Sequence, residues 1–293
     1  MGRFSDHLET GVGAVGDLAP LMVVPVVLSL FDVDAIRNVL AFEGWHVGLR
    51  FGIPVPAVDL WTVVNPPDAE VVGGTSYQWE AGTTDLLAVA SGGADALALA
   101  IGSAFVGLLL EAVLVAGYLG SVREHLVTGS YEFVGNVRRY AGRIAGIYLL
   151  GFAAFVVAVP VFLVAPPLIV PAIVGFFAAL YLLWATPYLI VVRDCSLGDG
   201  LVESYRYAVA GGPHFRFTIG FLVTILALSA PASLIVANAG AIGLLVGVAL
   251  IGPLGLALNV AVVDFVLDLV DDRDAAASNS ADRPRSGADD APF

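Results

Sequence analysis

Residues 168–192 read LIVPAIVGFFAALYLLWATPYLIVV, and residues 193–216 read RDCSLGDGLVESYRYAVAGGPHFR. The first stretch holds no charged side chain and exceeds the ~18 residues that mark a bilayer-crossing helix. The second gathers Asp, Glu and Arg before another apolar run, FTIGFLVTILALSAPASLIVA, begins at 217. A long apolar run, a short polar segment and a second long apolar run make the pattern of a polytopic helical membrane protein.

The rest of the chain agrees. Of 293 residues, 58% are hydrophobic and 13% charged, and mean hydropathy is +0.89. Soluble domains carry about 25% charged residues. Six spans are expected: 18–31 with 12–17 added, then roughly 96–119, 144–164, 168–192, 217–237 and 241–267. The first is the shortest. If it only lies at the interface, five spans remain and the N-terminus is outside; the flank Phe31-Asp32-Val33-Asp34 argues against a cleaved signal peptide, which wants small residues there. The resulting order is 1–31, N-terminus and first span; 32–93, an extracytoplasmic acidic segment; 94–270, a five-helix membrane region; 271–293, an acidic tail expected to be disordered.

All 13 basic residues are arginine. Without lysine, a P-loop lysine and a Schiff base are both excluded. The net charge of −13 argues against nucleic acid, which is bound through cationic contacts; acidic surfaces with arginine for lysine resemble proteins of halophilic archaea. With the N-terminus in the cytoplasm, only Arg37 and Arg50 fall outside, a strong positive-inside bias. The C-terminus is then cytoplasmic too, and the chain is a multi-pass protein of the cell membrane.

Period-two alternation in GWHVGLRFGIP (44–54) places Trp45, Val47, Leu49, Phe51 and Ile53 on one face and His46, Gly48, Arg50 and Gly52 on the other, as in a strand. GGTSYQWE (73–80) is a candidate partner. A small cap with β character on the outer side is expected.

Placed on a helix, 197–210 puts Leu197, Leu201, Tyr205 and Ala208 on one side, with Val202 and Val209 beside them, and Asp199, Glu203 and Arg206 on the other. Ser196 is a candidate N-cap with Asp199 three residues on. Gly211-Gly212-Pro213 ends the helix. This predicts an amphipathic helix at the cytoplasmic interface. SYEFVGNVRRYAGRI (130–144) predicts a second, with Phe133, Val137, Ala141 and Ile144 as its stripe. Arg139-Tyr140-Ala141 echoes Arg206-Tyr207-Ala208, a hint of internal repetition. The fold class is therefore an all-α membrane protein of about six transmembrane helices, two cytoplasmic amphipathic helices and a small outer cap.

Asp194, then Leu201-Val202-Glu203-Ser204, then Arg206 resemble a family of prokaryotic membrane domains. GYLGSVREHLVTGSYEF (117–133) is similar to their first inner loop. Members occur alone in archaea, mostly without an assigned role, and fused to glycerophosphodiester phosphodiesterases in some bacteria. The resemblance covers roughly 96–268 and implies a six-helix membrane fold; Gly200 stands where the family favours alanine. It does not imply phosphodiesterase activity, since the catalytic domain of those fusions is absent.

Few residues suggest chemistry. GVGAVG (11–16) lacks the strand that a dinucleotide site needs before it. His7, His46, His125 and His214 share no ligand spacing, and the lone Cys195 has no internal disulfide partner. No metal, cofactor or catalytic set is expected, and the chain is not expected to be an enzyme. Glu111 is the sharpest single residue, because a carboxylate within a span is costly unless neutral, paired or wet. Asn259 and Asp264 share the last span; if Asn259 faces Glu111, a polar bundle core results. Leu197, Leu201, Glu203, Ser204, Tyr205 and Arg206 form a candidate interfacial or partner helix. The expected partners are the lipid bilayer and another membrane or cytoplasmic protein. The preferred reading is a non-catalytic scaffold, partner-binding or membrane-homeostasis protein. A transporter using Glu111 and a lipid-acting enzyme stand as alternatives.

Overall fold

The computed structural model describes residues 2–67, 75–76 and 93–281. Its helices are α1 (Phe4–Ala14), α2 (Val23–Ser29), α3 (Val33–Ala41), α4 (Leu60–Val63), α5 (Gly93–Thr128), α6 (Phe133–Val164), α7 (Ile169–Leu183), α8 (Thr186–Val192), α9 (Leu197–Ala210), α10 (Pro213–Asn238) and α11 (Gly240–Ala281). Five segments are long and apolar enough to cross a membrane: Ile101–Thr128, Phe133–Ala158, Ile169–Val192, Pro213–Asn238 and Gly240–Ala275. The expected first span is not straight. Phe4–Ala14 and Ala19–Ser29 meet at 104°, with Pro20 in the 3-10 turn that joins them.

α10 and α11 form the central antiparallel pair. A Cβ on Gly243 would sit 2.1 Å from the Ile235 carbonyl oxygen, and one on Gly247 2.6 Å from Val236. The Gly243-x-x-x-Gly247 spacing therefore serves close packing within the chain. At the other end of the pair the Phe217 and Phe265 rings stack at 4.0 Å. α1 lies on α11 just as tightly, with Gly11 against the Ala257 carbonyl. Every residue of α8 is buried, whereas α7, almost wholly apolar, buries none. In a membrane protein such a face is the one lipid covers.

Several expectations are corrected. The amphipathic pattern over 130–144 is not a separate helix: α6 runs unbroken from Phe133 to Val164, since no breaker lies between the two patterns. α11 continues to Ala281, ten residues past the expected start of the tail; Asp274 is held by both its oxygens on Arg193.

The outer segment changes most. Its only strand pairing among the described residues is a two-residue parallel bridge, Trp45↔Thr75 and His46↔Ser76. The alternation holds, and burial shows which face turns inward. Trp45, Val47, Leu49 and Phe51 are 61%, 37%, 50% and 58% exposed, while His46 and Gly48 are buried. The apolar face turns outward, as suits a chain whose solvent is lipid, and the polar face turns to the helices. The segment from Trp45 to Asn65 is a hairpin of irregular backbone laid along α10 and α11.

Candidate functional site

The hairpin descends along α10. The backbone N–H and carbonyl of His46 bond the Asn238 side chain, both at 2.7 Å. The N–H of Arg50 donates to Ser229 Oγ at 3.0 Å, and Gly52 packs on Ile225. At the tip, the Val58 N–H donates to Asn259 Oδ1 at 2.8 Å. Asn259 Nδ2 donates to the Val55 carbonyl at 2.9 Å and to Tyr188 Oη at 3.0 Å. The Tyr188 hydroxyl donates to the same carbonyl. The Val58 carbonyl lies where a Cβ on Gly255 would be, 2.2 Å away. The chain then climbs back, with the Leu60 N–H on Ser29 Oγ at 2.9 Å and the Asn65 N–H on Ser233 Oγ at 3.2 Å.

Asn259 lies roughly 28 Å along α11 from its Gly240 end, at about 1.5 Å per residue. A hydrocarbon core is about 30 Å thick, so the tip passes the middle of the bundle. Irregular backbone survives at that depth only where protein or water satisfies it. Here Ser29, Ser229, Ser233, Asn238 and Asn259 do so. His46, fully buried, donates through Nε2 to the Asn65 carbonyl at 2.9 Å, and burial lowers its pKa and favours neutral imidazole.

The opposite end of the bundle is bound by charge. Asp194, the one non-glycine residue with positive φ (49°) among those described, accepts from Arg139 and, at 2.8 Å, from Arg143. These arginines hold its carboxyl below the ordinary range, the Arg139 hydrogen bond foremost. Arg143 also bonds the Cys195 carbonyl. Arg193 bridges Glu203 at 2.6 Å and Asp274 at 2.8 Å. Tyr140 and Tyr207 are both buried; Arg143 lies over the first ring at 5.3 Å and Arg273 over the second at 4.9 Å.

α9 begins as expected, with Ser196 Oγ accepting the Asp199 N–H at 3.2 Å, and ends at Gly211 with φ 65°. Of its apolar side, Ala208 is buried and Leu197 and Leu201 partly so, while Tyr205 is exposed. The buried face is Gly200, Ser204, Tyr207 and Ala208; Ser204 Oγ donates to the Leu182 carbonyl at 2.8 Å. Small residues win the inner face because α9 packs closely: Gly200 meets Ile190 and Thr186. Val202, Tyr205 and Val209 are left 48%, 51% and 62% exposed, with Arg206 beside them.

Most of the candidate residues thus have structural partners. Asn259 serves the hairpin tip and not Glu111. Asp264 accepts from His7 Nδ1 at 2.7 Å, tying α1 to α11. Glu203 and Ser204 anchor α9. Glu111 instead faces the Tyr148 hydroxyl and lies within electrostatic reach of Asp59, whose carboxylate caps α4 through Thr62. The Tyr148 hydroxyl is buried without a hydrogen bond of normal geometry. Asp59 and Ser29 were missed from sequence; the signal was Asp59-Leu60-Trp61-Thr62, a short capping sequence. Among the described residues no three His, Cys, Asp or Glu side chains gather as metal ligands do. Set against protein-family models, curated proteins and solved structures, the chain matches none.

Proposed function

We propose that the protein is a non-catalytic integral membrane scaffold, with its arginine-rich end in the cytoplasm, whose α9 docks a protein partner. One observation carries this reading. α9 is fixed by Arg193–Glu203 and Ser204–Leu182 on its inner side, yet shows Val202, Tyr205, Arg206 and Val209 outward. Rigid presentation of an apolar stripe with a cation at its edge suits a partner helix with apolar anchors and an acidic flank. Co-purification from native membranes in mild detergent tests it. A partner that stays with the parent chain and leaves with Tyr205→Glu supports docking; recovery of the parent chain alone, with no effect of the substitution, overturns it.

A second reading, solute transport, is favoured by the Glu111 carboxyl, which lies in a span beside the Tyr148 hydroxyl and within electrostatic reach of Asp59, with no arginine paired to it among the described residues. Flux in proteoliposomes that disappears in Glu111→Gln would favour it. The lipid-acting enzyme rests on the family resemblance alone.

A further inference from the structure

A groove of about 450 Å³ opens at the arginine-rich end, between the last turn of α9, the start of α10 and the emerging part of α11. Arg206, Tyr207, Ala210, Pro213, Leu269, Asp272 and Arg273 line it. This chain has twice as many carboxylates as arginines, and Arg139, Arg143 and Arg193 are all paired with them. Arg206 and Arg273, like Arg138 and Arg216, have no carboxylate within ion-pair distance among the described residues; what sets these two apart is that they line one groove. Arg273 rests on the Tyr207 ring, 4.9 Å from its centroid. Tyr207 is 6% exposed, and its hydroxyl is buried without a hydrogen bond of normal geometry.

We propose that this groove holds the phosphodiester headgroup of a membrane phospholipid, with Arg206 and Arg273 on the phosphate and the Tyr207 hydroxyl as a further donor. Guanidinium groups offer forked N–H pairs that match phosphate oxygens. The apolar wall from Ala210, Pro213 and Leu269 suits the glycerol end of a lipid better than a fully hydrated anion. The level is also right for a headgroup. Pro213 in the groove starts α10, and two residues on the helix begins its exposed apolar surface, with Phe215, Ile219 and Val223 52%, 42% and 54% exposed. The groove adjoins the docking stripe of α9 and shares Arg206 with it, whereas Tyr207 and Arg273 belong to the groove alone, so Arg273→Gln tests the lipid site apart from docking.

The test is native mass spectrometry of the full purified chain in detergent, titrated with phosphatidylglycerol, with diacylglycerol of the same chains, and with inorganic phosphate. Phosphatidylglycerol is expected to bind. Arg206→Gln and Arg273→Gln should each weaken it roughly tenfold, as loss of a charge-assisted contact implies. Tyr207→Phe should weaken it by less, and Arg138→Gln, on an exposed arginine elsewhere, should leave it unchanged. Unchanged thermal unfolding of Arg206→Gln shows that its loss is one of binding. Equal binding of diacylglycerol, or an Arg138→Gln loss as large as the others, overturns the proposal. Inorganic phosphate displacing the lipid at similar concentration would make this a free-anion site and overturn the lipid assignment.

Discussion

The hairpin from Trp45 to Asn65 and the arginine belt around Asp194 both fasten backbone to helices, but with different chemistry. At depth the chain uses neutral donors and acceptors: five Ser and Asn side chains take up amides that lipid cannot satisfy. At the bundle end it uses full charges, half-exposed, where water and ions share the work. The difference follows from desolvation. An ion pair in a dry interior returns little of the cost of stripping both charges, while an orphaned amide or hydroxyl there costs about 1–3 kcal/mol. The deep region should therefore be brittle toward neutral substitutions and the belt tolerant of charged ones.

The largest effect is expected for Asn259→Leu. It strands the Val58 N–H and removes a partner from the Val55 carbonyl and the Tyr188 hydroxyl. A loss of about 3–5 kcal/mol is expected from the sum of such penalties, read as a collapse of the thermal unfolding temperature in detergent. A value under 1 kcal/mol would mean that the hairpin is not seated there. Gly255→Ala comes next. Its methyl group would meet the Val58 carbonyl oxygen at 2.2 Å, and overpacking against backbone costs about 1–3 kcal/mol. Increased protease cleavage between Trp45 and Asn65 should accompany it if the tip is expelled.

Asp194→Asn should cost only about 1 kcal/mol, because Asp194, Arg139 and Arg143 are 37%, 55% and 31% exposed and surface pairs are weak. pH separates the two regions further. The folded pKa of Asp194 is depressed below the ordinary 3.8, so its contribution is complete above that value and is lost as pH falls from there through the folded pKa. His46 is also depressed, from 6.5; its contribution is complete above 6.5 and declines as pH falls below it. Unfolding measured from pH 7 to 3 should show His46→Gln flattening the upper part of the curve and Asp194→Asn only the lowest part.

The spans were legible because apolar runs longer than a bilayer is thick have few other solutions. The bounds of α9 were legible because Ser196 and Gly211-Gly212-Pro213 are local signals. The hairpin was not. Alternation in GWHVGLRFGIP divides two faces but does not say which is inside. A usable hint lay in the spans themselves: Ser229 and Ser233 stand one turn apart in α10 and Asn238 ends it, polar groups that lipid cannot satisfy. The inner face of α9 was not legible either, since close approach to α8 selected Gly200 and Ser204 over larger apolar residues. Glu111 was legible as costly, but its neighbour Asp59 lies 52 positions away in the segment expected to cap the outside.

The smallest effect on stability is expected for Glu111→Gln, and it bears most on function. Glu111 lies within electrostatic reach of Asp59 and has no arginine paired to it among the described residues, so exchanging the carboxyl for an amide removes one titratable group while keeping the shape. Unfolding temperature should hold or rise slightly, by less than about 1 kcal/mol equivalent, because a hydrogen-bonding group of the same size remains beside Tyr148. Under the scaffold reading, partner retention is unchanged and proteoliposomes of parent and variant leak alike. A proton or solute flux present in the parent and absent in the variant would move the working part of the molecule from the exposed stripe of α9 to the junction of the hairpin with α5 and α6. The neutral deep region would then be a gate around a carboxylate pair, and its brittleness a requirement of transport instead of a fastening.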